Sequence, residues 1–173
     1  MTVRLALPGD LPTLQSIETA AGVLFREIGM TDIADHAPPP LHILRAYQRA
    51  GRAWTAVDPV GEPVGFVLAK LVDGAAHVEQ ISVHPTHQRQ GHGRALMDAV
   101  DQFARDQQLP ALTLSTFRDV AWNAPYYARL GFRELGEDEL TPGLLAIRAE
   151  ESALGLKPAE RVFMRRETDA ATS

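Results

Sequence analysis

The residues of this chain best suited to chemistry lie close together in sequence. The run is His77-Val78-Glu79-Gln80-Ile81-Ser82-Val83-His84-Pro85-Thr86-His87-Gln88-Arg89-Gln90-Gly91-His92-Gly93-Arg94-Ala95-Leu96. It reads as a strand that stops at His84-Pro85, a polar loop with two near-adjacent glycines, and a helix from Arg94. Free N–H groups at a helix start, with the helix dipole behind them, attract anions. Gly91 and Gly93 let a ligand approach the backbone, and Arg89 and Arg94 add full positive charges. The pattern predicts a cradle for a phosphate or pyrophosphate. A plain glycine turn is the other reading of the loop taken alone. Arg94-Ala95 stands where a Walker loop needs Lys followed by Ser or Thr. A dinucleotide fingerprint needs a parallel β-α-β unit at the start of the domain, and this loop follows an antiparallel meander.

His77 and Glu79 are two apart on the predicted strand, so their side chains share a face. Glu79 can serve as a base and attract a cation, or it can be an exposed or salt-bridged strand glutamate. His77 reads as a second candidate base, or more readily as a plain surface or hydrogen-bonded histidine. His84, His87 and His92 flank the loop but lack the i, i+4 pair of a helical metal site, and the chain has no cysteine. No metal site is expected.

The elements that must position these groups follow from pattern and turn chemistry. Val3 to Leu7 alternates as a first strand, and Asp10 suits the N-cap of a helix carrying Leu14, Ile17, Ala20 and Ala21. The stretch from Gly22 to Pro40 has no clear period, and Pro38-Pro39-Pro40 cannot lie inside a helix. A helix over Leu41–Arg49 ends at Gly51. Strands are expected over Ala53–Val57, Val64–Val72 and His77–Val83, with Asp73-Gly74 as a two-residue hairpin signal. After the helix from Arg94 to Gln107 come a strand at Ala111–Thr116, a helix at Ala124–Leu130 and a strand at Phe132–Leu135. A helix at Pro142–Leu154 and a strand at Val162–Arg165 complete the order, with a frayed tail over 167–173. A meander followed by strand–helix alternation implies an α/β domain, with helices on both faces of a mixed sheet.

Gln88-x-x-Gly91-x-Gly93, preceded by Val83-x-Pro85, resembles the acyl-CoA pyrophosphate loop of the GNAT superfamily of N-acyltransferases. Asn123-Ala124-Pro125-Tyr126-Tyr127-Ala128-Arg129-Leu130-Gly131-Phe132 resembles the second signature of that family, a tyrosine four residues before Gly-Phe. The resemblance covers about residues 2–136, and it does not extend to the helix and strand near 140–166. It implies a mostly antiparallel, splayed sheet in one domain over 1–173. It implies acetyl-CoA as co-substrate, with backbone groups of Ile81 and Val83 pairing with the pantetheine arm. The pyrophosphate would lie on the loop Gln88, Arg89, Gln90, Gly91, His92, Gly93 and Arg94, and Asn123 and Tyr127 would also contact CoA. Glu79, then His77, stand where relatives place a base, and Tyr127 where they place the proton donor to the CoA thiolate. Members of the family often dimerise, so a homodimer is a possible assembly.

The 173 residues suit one ordinary domain with a core, and no apolar run is long enough to span a bilayer. The N-terminus lacks the long apolar region of a signal peptide, and the absence of cysteine is compatible with a reducing cytoplasm. A net charge of −5 argues against nucleic acid as the main partner and mildly favours a cationic substrate. The expected activity is acetyl transfer to a primary amine of a small molecule in the cytoplasm. Two alternatives stay open: transfer to a protein or peptide amine, and a non-catalytic acyl-CoA sensor. Glu79 together with Tyr127 favours the enzyme, because a sensor needs no proton relay. A nucleotide-binding regulator would share only the cradle.

Overall fold

The computed structural model describes residues 2–168. Its strands are β1 (Thr2–Leu5), β2 (Ala53–Val57), β3 (Pro63–Val72), β4 (Ala75–Val83), β5 (Ala111–Phe117), β6 (Arg133–Glu134) and β7 (Arg161–Glu167). Its helices are α1 (Leu11–Glu27), α2 (Thr31–Ala34), α3 (Leu41–Arg49), α4 (His92–Asp106), α5 (Ala124–Arg129) and α6 (Pro142–Ala153). The strands form one seven-stranded sheet in the order β1-β2-β3-β4-β5-β7-β6. The β4–β5 pair is parallel, while β1–β2, β2–β3, β5–β7 and β6–β7 are antiparallel. This is the mixed, mostly antiparallel α/β class expected from the sequence.

The chain groups into two compact units, each assembled from separated stretches. One runs to Ala69 and takes in Gln80–Ala99; the other joins Lys70–Glu79 to the chain from Val100 on. In the first, Leu11, Leu14 and Ile17 of α1 and Leu44 of α3 pack with Ala53, Phe66 and Leu68 of β2 and β3. In the second, Leu144 and Ile147 of α6 pack on Phe163 of β7 and on Leu135.

Several elements depart from the sequence expectation. β1 stops at Leu5, because a 3-10 turn starts at Pro8. Asp10 makes no side-chain cap for α1. Its carboxylate instead accepts the Leu7 N–H at 2.7 Å and pairs with Arg4 at 2.7 Å. α1 continues through Gly22 to Glu27, and α2 packs against it, so the stretch without a clear period is largely helical. The Asp73-Gly74 turn has φ of 50° and 80° at its two central residues, the backbone a tight β-hairpin needs.

The end of the chain is more ordered than expected. β7 runs to Glu167 and lies between β5 and β6, forming a seven-residue ladder with β5. Thr168 is buried, its N–H donating to Pro110 O and its hydroxyl to Leu109 O. The rest of the expected frayed tail, 169–173, lies outside the described residues. Arg166, whose sequence setting suggests solvated charge, donates to Leu130 O at 3.0 Å and pairs with Asp101 at 3.4 Å. Its guanidinium also lies 5.5 Å from the Phe132 ring centroid.

Candidate functional site

β4 changes character along its length. Ala75–Val78 are buried, and the ladder with β5 pairs Ala76, His77 and Val78 with Leu112, Thr113 and Leu114. The ladder ends there. Glu79 is exposed and Gln80, Ile81, Ser82 and Val83 are half-buried. A strand segment outside its parallel ladder has backbone groups available to another extended chain.

The chain leaves β4 at His84, whose N–H donates to Val64 O at 2.8 Å. A 3-10 turn at Pro85–His87 follows, with the His84 ring accepting the Thr86 N–H. Gln88, Arg89, Gln90 and Gly91 are exposed. The side-chain amide of Gln88 donates to Val83 O at 3.0 Å, which ties the loop to the end of the strand. Arg89 and Gly91 have φ of 62° and 84°, left-handed values that turn the backbone sharply. Gly91 O accepts the Ala95 N–H at 3.0 Å, so Gly91 caps α4. α4 thus starts at His92, two residues before the position expected from the sequence. The amides of His92, Gly93 and Arg94 form its first turn and have no acceptor within the helix.

The imidazoles around this loop form a chain. The His87 ring centroid lies 6.2 Å from that of His84 and 6.2 Å from that of His92. His92 is buried and its Nδ1 has no hydrogen-bond partner. Burial, then the neighbouring His87, push its pKa down, so the ring favours the neutral form. Among the described residues, no group of three or more His, Cys, Asp or Glu is arranged to hold a metal ion.

His77 and Glu79 share a face of β4 yet meet different surroundings. His77 is 2% exposed, with Nδ1 2.8 Å from Thr113 Oγ1. Burial first, and Lys70 second, lower its pKa to about 3. The ring is therefore neutral near pH 7. Glu79 Oε2 lies 2.9 Å from Lys70 Nζ. That pair could have been found by counting outwards from the Asp73-Gly74 turn, which puts Lys70 opposite His77 and diagonal to Glu79.

Asn123 is the N-cap residue of α5, and Tyr127 lies within that helix. The Asn123 side chain donates to Trp122 O at 3.0 Å, and the Asn123 backbone carbonyl accepts the Tyr127 N–H at 3.0 Å. Tyr127 is buried, with its ring centroid 5.4 Å from that of Tyr126 and 6.1 Å from that of Phe132. Ile81, Val83 and the loop from Gln88 to Arg94 fall in the first unit, and His77, Glu79, Asn123 and Tyr127 in the second.

Glu18 went unnoticed in the sequence. It follows the buried Leu14 and Ile17 on α1 and accepts a hydrogen bond from Ser82 of β4. Its only sequence mark is a carboxylate beside an apolar stripe, which usually denotes the wet flank of a helix.

The family model described as acetyltransferase (GNAT) family matches residues 23–132. The chain is similar to a mycothiol acetyltransferase of Nocardiopsis dassonvillei, 30% identical over 115 residues. That match covers 61% of this chain and 35% of the relative. It is also similar to an amino-acid acetyltransferase of Mycobacterium tuberculosis, 28% identical over 137 residues, covering 77% of this chain and 68% of the relative. Among solved structures, N-acetylglutamate synthase from Neisseria gonorrhoeae, complexed with coenzyme A and N-acetyl-glutamate, superposes with a TM-score of 0.72 at 18% identity. This chain is covered to 96% and that one to 35%. Rv2747 from Mycobacterium tuberculosis, in complex with CoA, superposes with a TM-score of 0.70 at 22% identity, covering 96% and 99%. The chain spans about a third of the first relative and of the first structure, and most of the other two.

Proposed function

The chain belongs to the GNAT acetyltransferase family, and from that premise we propose that it transfers the acetyl group of acetyl-CoA to a primary amine of a small molecule. Attack is direct, with both substrates bound together. The observation that carries the reading is the continuity of β4, the loop and α4. A strand that leaves its parallel ladder at Val78 runs into a left-handed turn at Gly91, and a helix N-terminus opens there.

The residues present suit the co-substrate. First-turn amides of His92, Gly93 and Arg94 are donors for a pyrophosphate, with Arg89 and Arg94 adding charge. The buried Nδ1 of His92, which lacks a partner, is a further polar atom at the same place. Backbone groups of Ile81 and Val83 would pair with the amide-bearing arm. Val83 O already accepts from Gln88, and its second lone pair leaves it able to serve both. Asn123 is a further proposed contact.

Acetyl-CoA supplies a thioester whose carbonyl carbon takes the amine nitrogen while the CoA sulfur departs. An alkyl amine has a reference pKa of about 10.4 and must first lose a proton. Glu79, held in place by Lys70, is the proposed acceptor of that proton, directly or through a water. His77 is the poorer base, since its ring is buried against Thr113 and resists protonation. Tyr127 is the proposed donor of a proton to the sulfur. The products are an N-acetylated amine and CoA thiol.

The names of the two curated relatives, an amino-acid and a mycothiol acetyltransferase, support a small acceptor rather than a protein. A cytoplasmic location and a single acetyltransferase domain belong to the same proposal. No described helix is long and apolar enough to cross a membrane. Thiol release from acetyl-CoA, followed across amino acids, polyamines, aminoglycosides and short peptides, tests the reading. Release with small amines and not with peptides is the expected result; release with peptides alone would assign the acceptor to proteins.

A further inference from the structure

Ser115, Glu151 and Arg161 form a largely buried polar cluster that the acetyl-transfer steps leave unused. Ser115 Oγ donates to the carboxylate of Glu151 in α6, 2.9 Å from Oε1 and 2.8 Å from Oε2. Arg161, the first residue of β7, donates from Nη2 to Glu151 Oε2 at 2.8 Å and to Ser115 Oγ at 3.3 Å. Its guanidinium carbon lies 4.5 Å from the centroid of the Phe117 ring. The side chains of Arg161 and Glu151 are 13% and 12% exposed.

Stability does not account for this cluster. Taking two charges out of water costs about as much as their attraction returns, and apolar side chains of similar volume often hold a fold as well. Arg161 Nε adds to the cost, since it is buried without a hydrogen-bond partner. Both charged residues also lie beyond residues 23–132, the stretch that carries the family match.

What the cluster holds is Ser115, at a telling place on β5. The parallel ladder pairs His77 with Thr113 and stops at Val78 and Leu114. Glu79 and Ser115 are therefore the first residues beyond it on their two strands. By strand alternation their side chains share the face of His77 and Thr113. Ser115 is the only residue of β5 that is not buried. It stays in register with Phe163 of β7, so the strand is held on that side while its β4 side is clear of the ladder. Glu79, Ser115, Glu151 and Arg161 all belong to one compact unit.

A hydroxyl has one proton and two lone pairs. Here the proton is directed at Glu151 and one lone pair at Arg161, which leaves one lone pair for a ligand. Turned this way, Ser115 accepts an N–H and has none to donate. The carboxylate behind the hydroxyl polarises it and strengthens its oxygen as an acceptor.

We propose that Ser115 is a further catalytic residue, whose Oγ accepts an N–H of the acceptor amine while Glu79 takes the proton that leaves. Glu151, clamped by Arg161, is the positioning residue that keeps the hydroxyl turned as an acceptor. The inference rests on the acetyltransferase reading and extends the site to the C-terminal segment. Contacts from both strands hold the nitrogen in one orientation for attack on the thioester carbonyl.

The test is steady-state acetylation by wild type, Ser115→Ala, Ser115→Thr, Glu151→Gln and the double variant Ser115→Ala with Glu151→Gln. It uses the best acceptor among tyramine, agmatine, spermidine, lysine and an aminoglycoside. Ser115→Ala should lower kcat/KM for the amine by roughly 10–100-fold, the range for loss of a hydrogen bond to a charged group. Its acetyl-CoA Kd should stay within about twofold, and Ser115→Thr, which keeps a hydroxyl, should recover most of the loss. Glu151→Gln can turn its amide N–H toward Ser115, so it should lower kcat/KM by about 3–10-fold. In the Ser115→Ala background the same change should matter by less than about twofold, because Glu151 acts through the hydroxyl. An unchanged kcat/KM in Ser115→Ala overturns the role of Ser115. An equal effect of Glu151→Gln in both backgrounds overturns that of Glu151. A Ser115→Ala loss that is matched by an equal loss of acetyl-CoA affinity, and not repaired in Ser115→Thr, marks a structural part and overturns the proposal. Should Glu151→Gln not fold, the Ser115 variants still decide the role of the hydroxyl. A wild type that binds acetyl-CoA but releases CoA with no amine overturns the acetyltransferase reading, and the proposal with it.

Discussion

The ammonium of Lys70 lies 2.9 Å from the carboxylate of Glu79, and both are more than a quarter exposed. An exposed pair of this kind contributes little to stability, but it fixes the direction of a carboxylate that can accept a proton. Glu79→Gln should lower kcat by about 10²–10⁴ near neutral pH, the usual span for a general base. Part of the loss should return at higher pH, where more of the amine is already neutral. Lys70→Met keeps the carboxylate and loses its anchor, so its effect should be far smaller. Thiol-release kinetics decide the matter. A silent Glu79→Gln beside a severe His77→Ala would exchange the two roles.

Gly91 is the point at which loop becomes helix. Its φ of 84° disfavours any side chain, and a branched one would also cover the amides of the first turn of α4. Gly91→Val should raise the acetyl-CoA Kd, measured by calorimetry, by more than about tenfold, consistent with loss of one or two charged hydrogen bonds. Far-UV circular dichroism should stay as in wild type. Unaltered affinity would take the pyrophosphate away from this loop.

His77 gives the stability a pH signature. Its folded pKa of about 3 lies below the reference value of about 6.5 expected in the unfolded chain. Above that reference value neither state binds the proton and the residue has no effect. Below it the unfolded chain takes up a proton that the folded chain refuses. Stability therefore falls as pH drops from about 6.5 towards about 3, by up to about 1.4 kcal/mol per pH unit. Urea unfolding of wild type and His77→Gln at about pH 7.5, 6 and 5 separates this contribution from that of the carboxylates, which both proteins share. Parallel losses in the two proteins would show that His77 accepts a proton in the folded state.

Tyr127 is buried between the rings of Tyr126 and Phe132, so a change there must spare the packing. Tyr127→Phe removes only the hydroxyl. It should cut kcat by roughly 10–10³ and leave acetyl-CoA affinity nearly unchanged, as expected for a placed acid acting on a fair leaving group. Tyr126→Phe should do little. A folded Tyr127→Phe protein with wild-type kcat would leave Tyr127 a packing residue.

Arg166 holds the Gly131-Phe132 corner through Leu130 O, the Phe132 ring and Asp101. Arg166→Ala leaves that carbonyl and part of a buried carboxylate without a partner, while Arg105 still binds Asp101. A loss of about 1–3 kcal/mol in urea unfolding is expected. A change below about 0.5 kcal/mol would return Arg166 to the class of ordinary surface charge.

What the sequence determined by itself is what neighbouring residues decide between them. The Asp73-Gly74 hairpin, the strand at Ala53–Val57, the helix at Leu41–Arg49 and the glycine loop before α4 all follow from local turn chemistry and periodicity. Three features depended on partners far along the chain. α1 runs past Gly22, because α2 folds back so closely that a Cβ there would lie 3.2 Å from Ala34 O; a residue that reads as a break is a contact. β7 lies between β5 and β6, an order that no local pattern encodes. Glu18 is legible only as one more helix-flank carboxylate. Its bond to Ser82, 64 residues away, draws it partly out of water. Desolvation is a property of what surrounds a group, so a charge that looks ordinary in sequence acquires its chemistry only when the fold closes over it.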